Sequence, residues 1–344
     1  MTVKNHIVIL TPGFPSSEDD STTIPALQVY LKALIKSKPN FDIKIITFQF
    51  PFRTDEYKWN KISVIPLDGK NSKLKKIFIW QKAYTFLKQI HEKSPIECIH
   101  SFWIGECSLI GERFGKRYQI KHLTTAMGQD VLKPNFFVKF LSKNCQIITL
   151  SQKQQQFLKT NFKIDSHIIP WGIDEKDFPQ VKEKTIDILG VGSLNSIKNY
   201  NLFIEIIESL SIETLKVELI GEGHLKAEIS DIVRKKNLEN TITILGELPR
   251  ENVLEKMARS KLLLHTSTYE SFGYVFLESL YSGMTLISTN VGIAEQSEHW
   301  MIFKSQDDAI LKIKKALSTH KRHGRVLLYE INDTLKKYCE IYNA

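Results

Sequence analysis

Cysteine is scarce in this chain. The four that occur, Cys98, Cys107, Cys145 and Cys339, show no C-x-x-C spacing, so neither a zinc site nor a disulfide framework is expected. Long hydrophobic runs are missing too: none reaches the roughly 18 residues that cross a bilayer. The opening MTVKNHIVIL lacks a signal-peptide layout, because its short apolar run leads into Pro-Gly. A cytoplasmic, reduced protein is expected. Nucleotide fingerprints fail as well. In GVGSLN, Asn195 stands where a third glycine belongs, GEGHLK (221–226) fails at the same place, and no G-x-x-x-x-G-K-[ST] occurs. A Rossmann dehydrogenase and a phosphate-loop nucleotidase are therefore disfavoured. There is no ribonucleoprotein-type aromatic signature, so nucleic acid is not an expected partner.

What is present belongs to a folded globular protein: 42% hydrophobic and 25% charged residues over 344 positions, a length that fits two domains. The net charge of +9 favours an anionic partner, such as a phosphorylated small molecule or a membrane surface. Much of that excess is lysine on helix-like segments, which a solvated face also explains.

Short β-branched runs recur, each followed by a longer segment of helical period. Seven fall in the first half (6–10, 43–48, 62–66, 96–100, 121–125, 146–150, 166–170) and five in the second (186–192, 216–221, 241–246, 261–265, 284–289). Strands alternating with helices predict parallel sheets covered on both faces. The stretch PWGIDEKDFPQVKEK (170–184) divides the two sets. The expected fold is α/β, with two doubly wound Rossmann-like domains facing a cleft: 1–168, then 169–324, then a helix from about 325 to 342 with Leu327, Leu328, Ile331, Leu335 and Tyr338 on one stripe. Ligands in such sheets bind beyond the carboxyl ends of the strands, which draws attention to the loops after Leu10, His100, Gly190 and His265.

One of these loops contains ESFGYVFLE, with Glu270 and Glu278 eight residues apart. A helix is predicted to start within 271–274 and to stop at Ser282-Gly283. Its first amides and its dipole favour an anion, and Gly273 would let a phosphate approach the backbone. A helical rise of ~1.5 Å per residue separates the carboxylates by up to about 12 Å. That exceeds the roughly 5–9.5 Å of paired hydrolytic carboxylates. Two readings remain open at this point. The glutamates bracket an elongated, hydroxyl-rich ligand with an anionic middle, or Ser271 is an N-cap and both carboxylates are solvated near a helix start.

The surrounding sequence resembles the E-x7-E region of retaining glycosyltransferases of family 4, which have the GT-B fold. Other stretches follow in that family's order: IHSFW and HLTTAMGQDV upstream, then IIPWGID, LGVGSLNSIKNYNLFIEII and LIGEGHLKAEI. The resemblance implies a cytoplasmic, retaining, metal-independent hexosyltransferase using a UDP- or GDP-sugar, with no cofactor and no bound metal. It implies a hydroxyl of a glycan or lipid-linked acceptor, in cell-surface polysaccharide synthesis. Glu278 would then accept from the nucleotide's ribose, and Glu270 from the donor sugar. Phe272, Gly273 and Tyr274 would offer amides to sugar and phosphate, with Ser271 beside them, and Lys198 would contact the diphosphate. Gly13 would permit close approach after the first strand. His100, Gly128 and Asp130 would face the cleft or the acceptor, and Glu295 would occupy the family's acidic position after the last strand.

The chain also departs from that family. Ser193 stands where an arginine is usual, Met127 where a histidine is common, and Ser21-Thr22 where a glycine pair is expected. A hydroxyl supplies no charge, so diphosphate neutralisation would rest on Lys198 and the helix amides. These losses keep two rivals open: an inactive nucleotide-sugar-binding or scaffold protein, and another GT-B enzyme such as a nucleotide-sugar epimerase. On the acceptor side, the stretches 70–93 and 133–143 mix lysines with Ile77, Phe78, Trp80 and other apolar residues. Each lysine near an anionic leaflet contributes about 1 kcal/mol. Peripheral association with the inner face of the cell membrane is therefore an expectation, against that of ordinary packed helices with solvated lysines.

Overall fold

The computed structural model describes residues 5–142, 145–318 and 324–343. Lys143, the last lysine of the second basic stretch, lies outside them. The chain forms two compact units, Met1–Trp171 with Ile331–Ala344, and Gly172–Glu330.

In the first unit the strands are β1 (Asn5–Gly13), β2 (Phe41–Phe50), β3 (Tyr57–Trp59), β4 (Ile62–Pro66), β5 (Cys98–Phe102), β6 (Lys121–Thr125), β7 (Gln146–Thr149) and β8 (His167–Ile168). They form one sheet in the order β3-β4-β2-β1-β5-β6-β7-β8, parallel except where β3 runs against β4. In the second unit β9 (Ile186–Val191), β10 (Val217–Ile220), β11 (Ile242–Gly246), β12 (Ser260–His265), β13 (Thr285–Ser288) and β14 (Trp300–Ile302) take the order β11-β10-β9-β12-β13-β14. That is a doubly wound order, which reverses between β9 and β12.

The central strands are buried on both faces, hence their continuous β-branched runs: Ile7, Val8, Ile9 and Leu10 are all in the core. The helices α1 (Pro25–Ser37), α2 (Lys76–Lys93), α3 (Glu106–Tyr118) and α4 (Gln152–Phe162) belong to the first unit, and α5 (Tyr200–Leu210), α6 (Lys226–Lys235), α7 (Arg250–Ala258), α8 (Tyr274–Tyr281) and α9 (Gln306–Ser318) to the second. In α5 the stripe Phe203, Ile204, Ile207 and Leu210 packs with Val217 and Leu219 of β10 in one core. A glutamate inside that neighbourhood, Glu218, is ion-paired with Lys256 at 2.7 Å, which offsets the cost of its burial.

The α/β architecture agrees with the sequence-based expectation, and three details correct it. Among the described residues there are fourteen strands rather than twelve, the extra pair being β3 and β14, each three residues long. The last helix, α10 (Ile331–Asn343), does not begin near 325. Residues 326–330 are engaged in backbone pairing instead: Val326 N–H donates to the Leu280 carbonyl, and Ile173 N–H to that of Tyr329. Leu327 and Leu328 are consequently exposed and form no stripe with Leu335 and Tyr338, which are buried. The latter two pack α10 into the first unit, where Thr334 donates to the Pro170 carbonyl at 2.8 Å and the Lys121 ammonium to that of Ile341 at 2.8 Å.

Candidate active site

The reversal point of the second sheet brings together the loops after β9 and β12. After β9 the chain makes a short 3-10 turn, Ser196–Lys198. Asn195 caps it, its side-chain oxygen accepting from the amides of Ile197 (3.1 Å) and Lys198 (3.3 Å). The loop after β12 is sewn to this turn: Thr266 Oγ1 donates to the Lys198 carbonyl at 2.9 Å, and Thr268 N–H to the Ile197 carbonyl at 2.8 Å. Lys198 and Glu270 are thereby held side by side, 72 residues apart in sequence, with Nζ bonded to Oε1.

Two more donors converge on the same oxygen, His265 Nε2 at 3.0 Å and Ser267 Oγ at 3.2 Å. Burial alone would raise the Glu270 pKa, but the His265 hydrogen bond and the Lys198 charge outweigh it and hold it at about 2. His265 itself is pushed below its ordinary value, chiefly by burial, with Lys198 adding to the effect. The carboxylate is thus ionised at neutral pH, and three groups beside it are able to donate to it.

The residues between the two glutamates do not form one helix. Only Tyr274–Tyr281 is helical, so the helical rise does not give the Glu270–Glu278 separation. The break is at Gly273, whose φ is +87° and where an added Cβ would fall 2.3 Å from the Phe276 ring. The glycine is demanded by backbone conformation and by Phe276, before any ligand is considered. Ser271 is not the cap of α8; Gly273 occupies that position. Phe272 is buried, with its ring 6.0 Å from that of Tyr329, and the Tyr274 hydroxyl donates to the Gly172 carbonyl at 3.1 Å.

Glu278 is buried and accepts from Arg250 Nε at 2.8 Å, while Arg250 Nη1 donates to Asp177 at 2.7 Å. Burial raises the Glu278 carboxyl above its usual range, against the pull of Arg250. His265, Arg250 and Asp177 were not picked out as site residues from the sequence. His265 ends a strand already identified, so its position was the available signal; the other two gave none.

The remaining expected residues fall as follows. Ser193 is exposed in the loop after β9, and Glu295 is exposed beyond β13. Gly13 is the last residue of β1, paired with Phe50, and an added Cβ there meets only ordinary contacts within the protein. Asp130 turns inward, accepting from the amides of Ile104 (2.7 Å), Gly128 (2.8 Å) and Met127 (3.3 Å). It staples its own loop to the one after β5. His100 is fully buried, with Nδ1 2.7 Å from the Tyr342 hydroxyl and Nε2 2.8 Å from Thr125 Oγ1. The expectation that it faces a cleft is corrected: both ring nitrogens are used inside the core.

Residues 173–325 match the family described as Glycosyl transferases group 1. The match lies within the second unit. The chain is 26% identical over 276 residues to an uncharacterized glycosyltransferase of Methanocaldococcus jannaschii, covering 78% of this chain and 76% of that one. It is 27% identical to the N-acetyl-alpha-D-glucosaminyl L-malate synthase of Bacillus anthracis over 56% of this chain and 54% of the relative. Among solved structures, the sucrose-phosphate synthase of Thermosynechococcus elongatus superposes with a TM-score of 0.81 at 15% identity, covering 99% of this chain and 98% of the other. The Anabaena protein HepE, in complex with UDP and glucose, superposes with a TM-score of 0.75 at 14% identity, over 98% and 99%. The fold is that of the GT-B glycosyltransferases, and the matched stretch holds both glutamates, Lys198, His265 and Arg250.

Proposed function

We propose that the chain is a retaining, metal-independent hexosyltransferase of family 4, moving a hexose from a UDP- or GDP-sugar to a hydroxyl of a glycan or glycolipid in cell-surface polysaccharide synthesis. The observation that carries this reading is the Lys198–Glu270–His265 cluster at the reversal point of a doubly wound sheet, inside the matched domain. Lys198, His265 and Ser267 converge on Oε1 of Glu270, and we assign Oε2 to the sugar hydroxyls. Lys198 is the cation beside them. As the diphosphate leaves, its growing charge draws the ammonium away from Glu270, an interaction stronger in the transition state than in the ground state. Glu278, steadied by Arg250 and Asp177, accepts from the ribose. Retention on one face needs no enzyme base, because the departing phosphate can take the acceptor's proton.

The acceptor is proposed to lie on an anionic membrane surface. Leu74, Ile77, Phe78 and Phe136 are each more than three-fifths exposed, beside Lys73, Lys75 and Lys139. Trp80 packs edge-on against Phe137 at 6.4 Å, so the two basic-apolar segments adjoin.

The test is release of nucleoside diphosphate from a panel of UDP- and GDP-sugars with glycan and lipid-linked acceptors. UDP-N-acetylglucosamine is included because the Bacillus anthracis relative is named for that sugar. Acceptor-dependent release that collapses in Glu270→Ala supports transfer. Binding of nucleotide sugars without any release would favour the inactive-binder reading, which Ser193 keeps open. Co-sedimentation with anionic liposomes at low salt tests the membrane clause alone: a protein left in the supernatant removes that clause and spares the transferase.

A further inference from the structure

Three side chains of different types meet in the first unit, none of them used by the chemistry above. Glu112 projects from α3, His122 from β6, and Cys145 from the turn before β7. Their carboxylate oxygen, ring nitrogen and sulfur lie within 4.8 Å of one another. His122 Nδ1 is 2.8 Å from Glu112 Oε2 and 3.6 Å from Cys145 Sγ.

The second ring nitrogen is met by hydroxyls. Nε2 lies 2.9 Å from Ser101 Oγ, and Ser101 gives its own hydroxyl proton to the Cys107 carbonyl at 3.1 Å. Nε2 can donate to Ser101 Oγ, with the Thr124 hydroxyl 3.4 Å away, and in the tautomer protonated there Nδ1 offers a lone pair to an ion. Without an ion Nδ1–H donates to Glu112 Oε2 at 2.8 Å, and a cation between the two would take the place of that proton. The other carboxylate oxygen is already taken, accepting from the Ser142 amide at 3.1 Å with the Lys116 ammonium at 3.4 Å. The fold makes room for the ring: a Cβ on Gly111 would fall 2.5 Å from His122 Nε2 and 2.6 Å from Ser101 Oγ. A pocket of ≈ 440 Å³, lined by Glu112, Lys116, His122, Ser142 and Cys145 among others, opens on the cluster.

The distances suit one class of ion. Tetrahedral zinc with bonds of about 2.0–2.1 Å to nitrogen and about 2.3 Å to sulfur sets those atoms about 3.6 Å apart, which is the observed Nδ1–Sγ separation. The nitrogen–oxygen edge would be about 3.4 Å, so Glu112 needs to withdraw by about half an ångström from its present 2.8 Å.

We propose that Glu112, His122 and Cys145 form a binding site for a zinc-class divalent cation, with water from the adjoining pocket as fourth ligand. Binding expels the Cys145 thiol proton, and the carboxylate and thiolate together balance the two positive charges. Ser101 orients the imidazole from behind, as outer partners of metal-bound histidines do. The ion ties α3, β6 and the chain entering β7 together, so its role is to fasten the first unit; it takes no part in sugar transfer.

The metal-free full-length protein, titrated with Zn²⁺ or Co²⁺ alone, tests this. One equivalent should bind, the Co²⁺ form should show sulfur-to-cobalt charge transfer with the intense visible bands of a tetrahedral ion, and Zn²⁺ should raise the melting temperature. Cys145→Ser should abolish the charge-transfer band and weaken Zn²⁺ binding by at least about tenfold, with Ser101→Ala giving a smaller loss. A weak octahedral cobalt spectrum, or unchanged affinity in Cys145→Ser, would overturn the proposal and leave a plain Glu–His hydrogen bond. Should Cys145→Ser fail to fold, alkylation of the unmutated protein decides. Zn²⁺ protection of Cys145, mapped by mass spectrometry, supports the site; equal labelling with and without Zn²⁺ rejects it.

Discussion

His100 and His265 both sit on a strand beside the point where strand order reverses, His100 in the middle of β5 and His265 at the end of β12, and each is buried. Their partners differ in kind. His100 is held by two hydroxyls, from Tyr342 and Thr125, with the rings of Phe102 at 4.1 Å and Tyr338 at 5.3 Å. His265 meets the Glu270 carboxylate, which in turn holds Lys198. A histidine on the strand beside the reversal point sits in a locked core in one unit and in a charged cluster in the other, according to what the neighbouring segments supply. In the first unit a helix from the chain's far end, α10, brings the tyrosine. In the second, a loop sewn to the 3-10 turn brings a carboxylate and an ammonium.

The contrast can be broken by substitution. Glu270→Ala should lower kcat/KM for transfer by about 10²–10³-fold, the scale seen when a preorganised polar group at a reacting centre is lost, while the circular dichroism spectrum stays unchanged. Lys198→Ala should cost about 10–100-fold, since charge-assisted hydrogen bonds are worth about 1.5–3 kcal/mol, with the loss in kcat exceeding that in donor KM. Transfer left intact in both variants would show that the charged cluster is not the donor site.

Tyr342→Phe acts on the other histidine. It removes the hydroxyl shared by His100 Nδ1 and, at 2.8 Å, the Tyr30 hydroxyl, leaving buried polar atoms unpaired at about 1–3 kcal/mol. Chemical denaturation should register that loss while donor KM is unaltered. A changed KM with unaltered stability would reverse the assignment of the two histidines.

The smallest effect is the pH dependence of stability. Burial lowers both histidines, His100 well below its ordinary value, so the unfolded chain binds more protons and folding weakens as pH falls through the unfolded value of about 6.5. Glu270, at about 2 when folded, adds stability that is present above its unfolded value of about 4.3 and is lost only below it. Melting temperatures should therefore begin to fall near pH 6.5, before carboxylates titrate. A flat profile from pH 8 to 5 would contradict the neutral, buried state of both histidines.

Much of this was legible in the sequence, for identifiable reasons. Runs such as Ile7–Leu10 and Leu262–Leu264 are apolar at consecutive positions because both faces of the sheet are covered. Tyr57–Trp59 and Trp300–Ile302 escaped notice because three residues carry no period. Leu327 and Leu328 imitated a helix stripe, but Val326 and Tyr329 on either side of them pair with Leu280 and Ile173, which no local pattern records. Within the site, Glu270, Glu278 and Lys198 stood out through their spacing and family resemblance. Arg250 did not, because its tie to Glu278 spans 28 residues and two helices. The Glu112–His122–Cys145 cluster was invisible for the same reason, its members coming from a helix, a strand and a turn.

The central claim is that the charged cluster of the second unit, and not the buried histidine of the first, receives the nucleotide sugar. Thermal denaturation of the unmodified chain, Glu270→Ala and Tyr342→Phe, each with and without a panel of UDP- and GDP-sugars, tests it most directly, because a ligand bound only to the folded state raises stability by mass action. At least one nucleotide sugar should raise the melting temperature of the unmodified chain and of Tyr342→Phe by the same increment and leave Glu270→Ala unmoved. An equal increment in Glu270→Ala, or none in any protein with any donor, would contradict the account.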